Sequence, residues 1–396
     1  NEIQKILARI WHEVLGVEKE VIGIDTNFFE LGGHSLNATV MAAKIHKNLK
    51  VKLPLVEVFK TPFIRDLARI ITGMTAGSYE SIEPIEKKEY YLASSAQKRL
   101  YFLQQMDLQN TVYNMPEVIP LTGEIDIAKL EETFKKLIKR HESLRTSFKM
   151  IGDEPRQRIH HEVEFEFIKT PEYPFVRPFD LSQPPLLRVG LKKTGNKNHL
   201  LLVDMHHIIA DGVSQDILAK DFASLYANDP LPPLRLRYKD ICQWQNSERE
   251  KQNLEQQEAY WLKVFDGEIP VLDIPTDYTR PKIQDFEGNT LHFEISRQCT
   301  HRLKSMVLEE NVTAYMVLLS VYNILLSRLS GQEDIVVGTA VAGRRHPDLE
   351  KIIGMFVNTL PLRNYPNSAM TFNEFLADVK KRTLEAFENQ VYPFEE

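Results

Sequence analysis

The chain has 396 residues, enough for two or three domains that each bury a core of their own. Hydrophobic residues make up 43% and charged residues 26% of the sequence, as in an ordinary globular protein. The net charge of −6 argues against a nucleic acid or an anionic membrane as partner, and no apolar run approaches the roughly 20 residues of a membrane span. The two cysteines, Cys242 and Cys299, predict a reducing compartment, the cytoplasm, and no disulfide framework.

Residues 1–72 have the pattern of a small helical unit. Apolar residues recur at helical spacing in "EIQKILARIWHEVLG", and a second helix is predicted after Ser35. A short segment near Pro54 and a last helix with Pro62 at its first position complete the unit. Residues 73–88 lose the periodicity and gain Gly, Ser, Pro and charge, which predicts a linker.

From Tyr90 onward helical and strand-like stretches alternate. A helix is predicted over 126–142, and the apolar runs "HLLLVDMHHI" (199–208) and "EDIVVGTAVAG" (333–343) are strand candidates. This mixture predicts an α/β or α+β domain with a buried sheet. A polar, Pro-rich interval near 263–290 is expected to divide it into two lobes.

Ser35 lies between a Gly-Gly-His turn and a helical pattern, in "FFELGGHSLNATVMAAKI" (28–45). The ordinary interpretation is a helix N-cap. Two glycines are more than a cap needs, because they also expose the turn. A nucleophilic serine needs a base within reach, His34 is poorly placed for that, and the G-x-S-x-G elbow is absent. The alternative to a cap is therefore an attachment point.

The stretch "DTNFFELGGHSL" resembles the core motif of peptidyl carrier proteins from non-ribosomal peptide synthetases. The order of helices over residues 1–72 is similar to the four-helix bundle of that family. The resemblance implies that Ser35 carries 4′-phosphopantetheine, attached by a phosphopantetheinyl transferase, whose thiol holds an aminoacyl or peptidyl thioester. It also implies packing or anchoring roles for Asp25, Phe28, Phe29 and Leu31, and a partner-facing surface at Leu36 and Val40.

The second constellation is "MHHIIADGVS" (205–214), at the end of a predicted strand. Adjacent strand residues point to opposite faces, so His206 and His207 are expected to have different roles. Asp211 and Gly212 form a turn pair. Three interpretations compete: a turn with two polar core residues, a metal site that lacks a third clustered ligand, and acid–base or electrostatic catalysis by a histidine.

The pattern H-H-x-x-x-D-G resembles the active-site motif of condensation domains, which are similar to chloramphenicol acetyltransferase. Five further motifs of that family are present in the expected order, two before the histidine motif and three after it: "SSAQKRLYFL" (94–103), "RHESLRTSF" (140–148), "YKDICQW" (238–244), "IGMFVNTLPLR" (353–363) and "NQVYPFEE" (389–396). The resemblance covers about 89–396 and implies an α/β two-lobed chloramphenicol acetyltransferase-like fold, with an N-lobe over about 89–262 and a C-lobe over about 263–396. The seventh motif is missing, so we expect a C-terminally incomplete domain within an excised piece of a longer synthetase.

The resemblance also implies roles for the residues of the motif. The second histidine of the family points into a tunnel between the lobes, so His207 is the expected catalytic group, as a base or by positioning the amine. His206 is expected to point inward, and the N–H of Gly212 to assist an oxyanion. Asp211, if buried, requires a cation. Arg344 is the predicted partner, with Arg345 second. No metal is predicted.

Three relatives of the family remain as alternatives. An epimerisation domain shares the histidine motif, but its carrier typically has aspartate where this chain has His34, so the donor is expected to have the L configuration. A heterocyclising domain would have aspartate in place of His206. A non-catalytic recruitment module commonly loses the histidine at the position of His207. The expected partners are adenylation domains and a downstream acceptor carrier domain, and the fragment is expected to be monomeric.

Overall fold

The computed structural model describes residues 1–75, 77, 79–282, 286 and 288–396. The chain forms two compact units, each assembled from several segments. Unit 1 comprises 1–80, 255–347 and 359–394, whereas unit 2 comprises 81–254, 348–358 and 395–396.

The N-terminal part of unit 1 consists of four helices: α1 (Glu2–Leu15), α2 (Ser35–Leu49), α3 (Leu55–Lys60) and α4 (Ile64–Gly73). Their apolar faces bury Leu7, Ile10, Trp11, Met41, Phe59 and Leu67. The predicted order of helices is therefore confirmed, but the position of Pro62 is wrong. Phe63 is the N-cap of α4, and the carbonyl of Pro62 accepts the N–H of Phe28 at 2.9 Å, so Pro62 anchors the loop before α2.

Unit 2 begins with β1 (Tyr91–Leu92), α5 (Ser95–Met106), β2 (Asn114–Thr122) and α6 (Ile127–Arg140). It continues with β3 (Thr146–Ile151), β4 (Glu154–Ile159), β5 (Phe167–Ile168), β6 (Leu187–Lys193), β7 (Asn198–His206), α7 (Gly212–Ala227) and α8 (Tyr238–Gln245). One sheet has the order β1-β4-β3 and the other the order β2-β7-β6-β5. The predicted helix over 126–142 and strand over 199–208 are confirmed as α6 and β7.

The central strand of the larger sheet positions the histidine motif. β7 pairs antiparallel with both β2 and β6, and His206, its last residue, lies opposite Asn114. Leu201, Val203 and Met205 alternate along β7 and are buried, as expected for a strand with a covered face. The motif therefore follows directly on a rigid element.

Helix α9 (Glu248–Val264) leads from unit 2 into unit 1, which continues with α10 (Arg297–Glu309), α11 (Ala314–Ser330), β8 (Ile335–Val341), β9 (Asn358–Asn364) and α12 (Phe372–Glu388). The strand predicted over 333–343 is confirmed as β8, which pairs with β9. Residues 266–282 contain no helix or strand, and residues 283–285 and 287 of the predicted divider lie outside the described part of the chain.

Within unit 1 the short helix α3 contacts α12. The N–H of Leu55, the first residue of α3, donates to Oε1 of Glu388 at 2.6 Å, and Arg345 Nη2 lies 3.0 Å from Oε2 of the same carboxylate. Tyr79 of the predicted linker stacks on His346 with 5.1 Å between ring centroids. Ala76 and Ser78 of that linker lie outside the described residues.

No single helix in the described part of the chain is long and apolar enough to cross a bilayer. Among the described helices, only α10 and α11 taken together, a pair bent by 108°, have the length and apolar composition of a span.

Carrier serine and candidate active site

Ser35 is the first residue of α2 and is partly exposed. The N-cap is His34, whose Nδ1 accepts the N–H of Asn37 at 3.5 Å. The interpretation of Ser35 as the N-cap is therefore wrong, because the preceding residue occupies that position. Partial burial lowers the pKa of His34, which keeps its ring neutral and able to accept.

The two glycines before the serine have separate structural reasons. Gly32 has a φ of +92°, a conformation that only glycine adopts without strain. A Cβ at Gly33 would lie 2.4 Å from the ring of Phe28 and 2.6 Å from its carbonyl oxygen. Phe28 is fully buried and packs edge-on against Trp11, with 5.0 Å between the ring centroids. The turn therefore closes tightly on the core and leaves Ser35 at its outer end.

The surroundings of Ser35 fit a phosphodiester-linked group. The N-terminal end of α2, where the helix dipole is positive, favours a negative charge at this position. Leu36 follows with 46% of its surface exposed, which agrees with an apolar contact surface beside the serine, and Val40 lies one turn further on, half-buried. Ser35 would hold 4′-phosphopantetheine through its hydroxyl oxygen.

His206 is fully buried at the end of β7. Its Nδ1 accepts the N–H of Ile208 at 3.1 Å, so the ring proton is on Nε2, which donates to Oε1 of Gln104 at 3.2 Å. Burial lowers the pKa of His206 to about 3, with smaller contributions from the nearby His207 and Arg188. His206 is thus a neutral group with both ring nitrogens used inside the fold.

His207 starts a single turn of 3₁₀ helix and is only partly buried. Its N–H donates to the carbonyl of Tyr113 at 2.8 Å, and its Nδ1 lies 2.9 Å from the carbonyl oxygen of Ala210. Because a carbonyl can only accept, Nδ1 must carry the proton in the neutral ring, which leaves the lone pair on Nε2. No described residue hydrogen-bonds to that Nε2. The two neighbouring histidines therefore have opposite tautomers.

Asp211 is fully buried and caps α7. Its Oδ1 accepts the N–H and the hydroxyl of Ser214, each at 2.7 Å, and its Oδ2 accepts the N–H of Phe356 at 3.1 Å. Ser214 also lies 3.1 Å from the N–H of Gly354. The carboxylate thus ties the turn after His207 to the segment "IGMF", and sequence reasoning had not placed these two motifs together.

The remaining predicted site residues have different surroundings. Gly212 begins α7, and a Cβ there would meet no atom of the described residues within 4 Å, so no packing contact explains the glycine. Arg344 follows β8 and is 7% exposed, whereas Arg345 is engaged by Glu388. The pairing of Asp211 with Arg344 stays a prediction.

A buried ion pair behind the motif was not predicted from the sequence. Asp204 Oδ2 accepts from Arg188 Nη1 and from Asn114 Nδ2, each at 2.9 Å. Burial raises the pKa of Asp204 and lowers that of Arg188 to about 10. The guanidinium lies 3.6 Å above the ring of Phe179, which contacts His206 edge-on. Only the alternation along β7 could have indicated that Asp204 and His206 share a face.

The described residues contain no group of three or more His, Cys, Asp or Glu side chains arranged to hold a metal ion.

Comparison with known families decides the assignment. The model of the condensation domain matches residues 87–396, and that of the phosphopantetheine attachment site matches residues 5–71. The chain belongs to the condensation-domain family of non-ribosomal peptide synthetases. It is an acyltransferase of the peptide-bond-forming type, preceded by a carrier domain whose cofactor is 4′-phosphopantetheine.

Relatives of this carrier–condensation pair are multidomain synthetases. Over its whole length the chain is 48% identical to gramicidin S synthase 2 of Brevibacillus brevis, 47% to bacitracin synthase 2 of Bacillus licheniformis and 46% to tyrocidine synthase 3 of Brevibacillus parabrevis. It spans only 9%, 16% and 6% of these proteins, respectively. The family thus implies a phosphopantetheinyl transferase and a larger synthetase around the pair.

Solved structures show the same fold. The X-domain from teicoplanin biosynthesis matches with a TM-score of 0.72 and 24% identity, covering 80% of this chain and 74% of that one. The first condensation domain of the calcium-dependent antibiotic synthetase matches with a TM-score of 0.64 and 19% identity, covering 78% and 77%. The condensation domain of this chain therefore has the two-lobed, chloramphenicol acetyltransferase-like fold.

Proposed function

We propose that this chain joins an aminoacyl or peptidyl donor, held on Ser35, to the amine of an acceptor aminoacyl thioester on a downstream carrier domain. The observation that supports this most directly is the tautomer of His207, whose Nε2 lone pair is held available by the Ala210 carbonyl on Nδ1. The proposed boundaries are a carrier domain over 1–72, a linker over 73–88 and a condensation domain over 89–396.

In the proposed reaction the acceptor amine attacks the donor carbonyl, a C–N bond forms and the C–S bond breaks. His207 Nε2 accepts a proton from the attacking nitrogen and returns it to the departing sulfur, so that no net proton is consumed. The Ala210 carbonyl stabilises the imidazolium that forms in between. The thiol of 4′-phosphopantetheine supplies the activated thioester when it is attached to Ser35.

Asp211 and Gly212 have supporting roles in the proposed mechanism. Asp211 binds the N–H groups of Ser214 and Phe356 and keeps the turn after His207 in place, with Arg344 as its proposed charge partner. The N–H of Gly212, at the start of α7, is the proposed donor to the developing oxyanion.

The donor is proposed to have the L configuration, because His34 stands where the carriers of epimerisation domains typically have aspartate. We also propose adenylation domains and a downstream carrier as partners, and a cytoplasmic location. The free thiols of Cys242 and Cys299 support a reducing compartment.

The first experiment tests the carrier. Incubation with coenzyme A and a phosphopantetheinyl transferase, followed by intact-mass measurement, should add one phosphopantetheine to the wild type and none to Ser35→Ala. Loss of the hydroxyl should leave the carrier folded, because the cap of α2 is His34 and not Ser35. Modification of the alanine variant would show that the group is attached elsewhere.

The second experiment tests the chemistry. With donor and acceptor preloaded, His207→Ala should slow dipeptide formation by about 100-fold or more, the range expected for a lost general base. His161→Ala, at an exposed histidine, is the matched control and should react at the wild-type rate. Chiral analysis of the donor after incubation without acceptor distinguishes the alternative: an epimerisation domain would convert part of an L donor to D.

A further inference from the structure

Helix α5 carries two buried glutamines on one face. Gln97 is 2% exposed and Gln104 is 1% exposed, and their spacing of seven residues, two helical turns, brings both side chains to the same side. An uncharged amide is rarely buried without partners, because its four hydrogen-bonding sites must be satisfied. Each glutamine has one partner that is a sequence neighbour of His207, namely His206 for Gln104 and Ile208 for Gln97.

Gln104 acts on the residue before His207. Its Oε1 accepts the Nε2 proton of His206 at 3.2 Å. Its Nε2 lies 3.3 Å from the carbonyl of Asp107 and 3.3 Å from that of Asn110, so the same side chain also organises the loop that follows α5. That loop leads to Tyr113, whose carbonyl accepts the N–H of His207.

Gln97 acts on the residue after His207. Its Nε2 donates to the carbonyl of Ile208 at 3.1 Å and lies 3.4 Å from Oε1 of Gln157. Its Oε1 accepts the N–H of Ser94 at 3.1 Å and faces the thiol of Cys242 at 3.8 Å. The four contacts of the Gln97 amide fix the orientation of its oxygen and nitrogen atoms. The hydrogen bond to the carbonyl of Ile208 therefore comes from a side chain in a fixed position.

We propose that Gln97 and Gln104 are positioning residues for His207. The proposal rests on the proposed role of His207 as the proton acceptor. One glutamine holds the ring of His206 and the other holds the backbone carbonyl of Ile208, so the residues on both sides of His207 are attached to a single helix. Among the described residues, His207 is held by three hydrogen bonds: its N–H to Tyr113, its Nδ1 to the carbonyl of Ala210, and its own carbonyl, which accepts the N–H of Ala210 at 3.3 Å. All three depend on the path of the flanking backbone.

The hydrogen bonds also explain why the side chain at position 104 is an amide. Gln104 accepts from Nε2 of His206, which keeps Nδ1 of that ring as the acceptor for the Ile208 N–H. A carboxylate would attract a second proton onto His206 and abolish that acceptor. The turn at residues 207–209 depends on it, because the His206 side chain caps this turn.

The proposal predicts a defect in chemistry and not in loading or binding. Gln104→Met and Gln97→Met keep the side-chain length and remove the hydrogen bonds. Each should reduce the single-turnover rate of dipeptide formation by about tenfold or more, since small displacements of a catalytic group are costly. Loading of Ser35 and the KM for the acceptor should stay at wild-type values. Gln105→Met, at the exposed neighbouring glutamine, is the matched control.

A double-mutant cycle separates positioning from a general structural role. If Gln104 acts through His207, Gln104→Met should cause no further loss when it is added to His207→Ala. An equal loss in both backgrounds, or a wild-type rate in a folded Gln104→Met variant, would overturn the proposal. A wild-type rate in His207→Ala would instead refute the proposed function and leave the loading of Ser35 unaffected.

A measurement on the wild type keeps the proposal testable if the variants do not fold. Long-range ¹H–¹⁵N spectra of histidine-labelled protein report which ring nitrogen carries the proton. We expect the Nε2–H form for His206 and the Nδ1–H form for His207 at neutral pH. The Nδ1–H form at His206 would exclude its bond to Gln104 and overturn the proposal.

Discussion

Burial of His206 makes the stability of unit 2 depend on pH. The pKa of His206 is lowered to about 3 in the folded protein, mainly by burial and further by His207 and Arg188, whereas the unfolded chain has the ordinary value of about 6.5. Between these values the unfolded state binds the extra proton. The contribution of His206 to the free energy of unfolding is therefore complete above about pH 6.5 and decreases as the pH falls.

The size of the effect follows from the two pKa values. At pH 4.5 the unfolded histidine is protonated and the folded one is not. This difference lowers the free energy of unfolding by about 2–3 kcal/mol relative to pH 7.5. Other groups titrate as well: burial also lowers the pKa of His141, and it raises that of Asp204, which acts in the opposite direction. The variant His206→Gln keeps a hydrogen-bond donor and an acceptor but has no group that titrates. Comparison with it isolates the contribution of His206 to the pH dependence of the unfolding free energy.

The assay is urea unfolding between pH 7.5 and 4.5. The three tryptophans can be labelled with 5-fluorotryptophan, and the ¹⁹F signal of Trp244 then follows unit 2, in which it lies on α8. Below about pH 6 the unfolding free energy of the wild type should fall more steeply than that of His206→Gln, by about 1 kcal/mol per pH unit. Parallel curves for the two proteins would refute the burial of a neutral His206.

Two further predictions concern the tight turn and the buried aspartate. Gly33→Ala should destabilise the carrier by about 1–3 kcal/mol, because its Cβ meets Phe28, whereas Gly73→Ala meets no described atom within 4 Å; thermal unfolding compares the two. Asp211→Ala and Arg344→Ala should each cost about 3–5 kcal/mol if they form a buried pair, and the double variant less than the sum. Additive losses in chemical denaturation would show that the two residues do not interact.

Much of the fold was predictable because it depends on local patterns. The helical periodicity before Gly16 predicted α1, and the apolar run 199–208 predicted β7, since both elements are set by the spacing of their own apolar residues. The carrier motif and the histidine motif were also readable, because each places its functional residues within a few positions of one another. The predicted first residue of α4, Pro62, was wrong. The helix begins after Phe63, whose backbone pairs with Asn27 of a distant loop, and the local sequence does not show this contact.

The sequence by itself determined which residues are proposed to carry the chemistry: Ser35 at the start of a predicted helix, and His207 at the end of a predicted buried strand. The tertiary structure decided what those residues can do. Gln104 is 102 positions from the His206 ring that it holds, and Phe356 is 145 positions from Asp211. Hydrogen bonds between residues so far apart in the sequence produce no periodic pattern, because they depend on how the elements pack. The protonated nitrogen of His207, and with it the proposed proton transfer, follows from such a folded geometry.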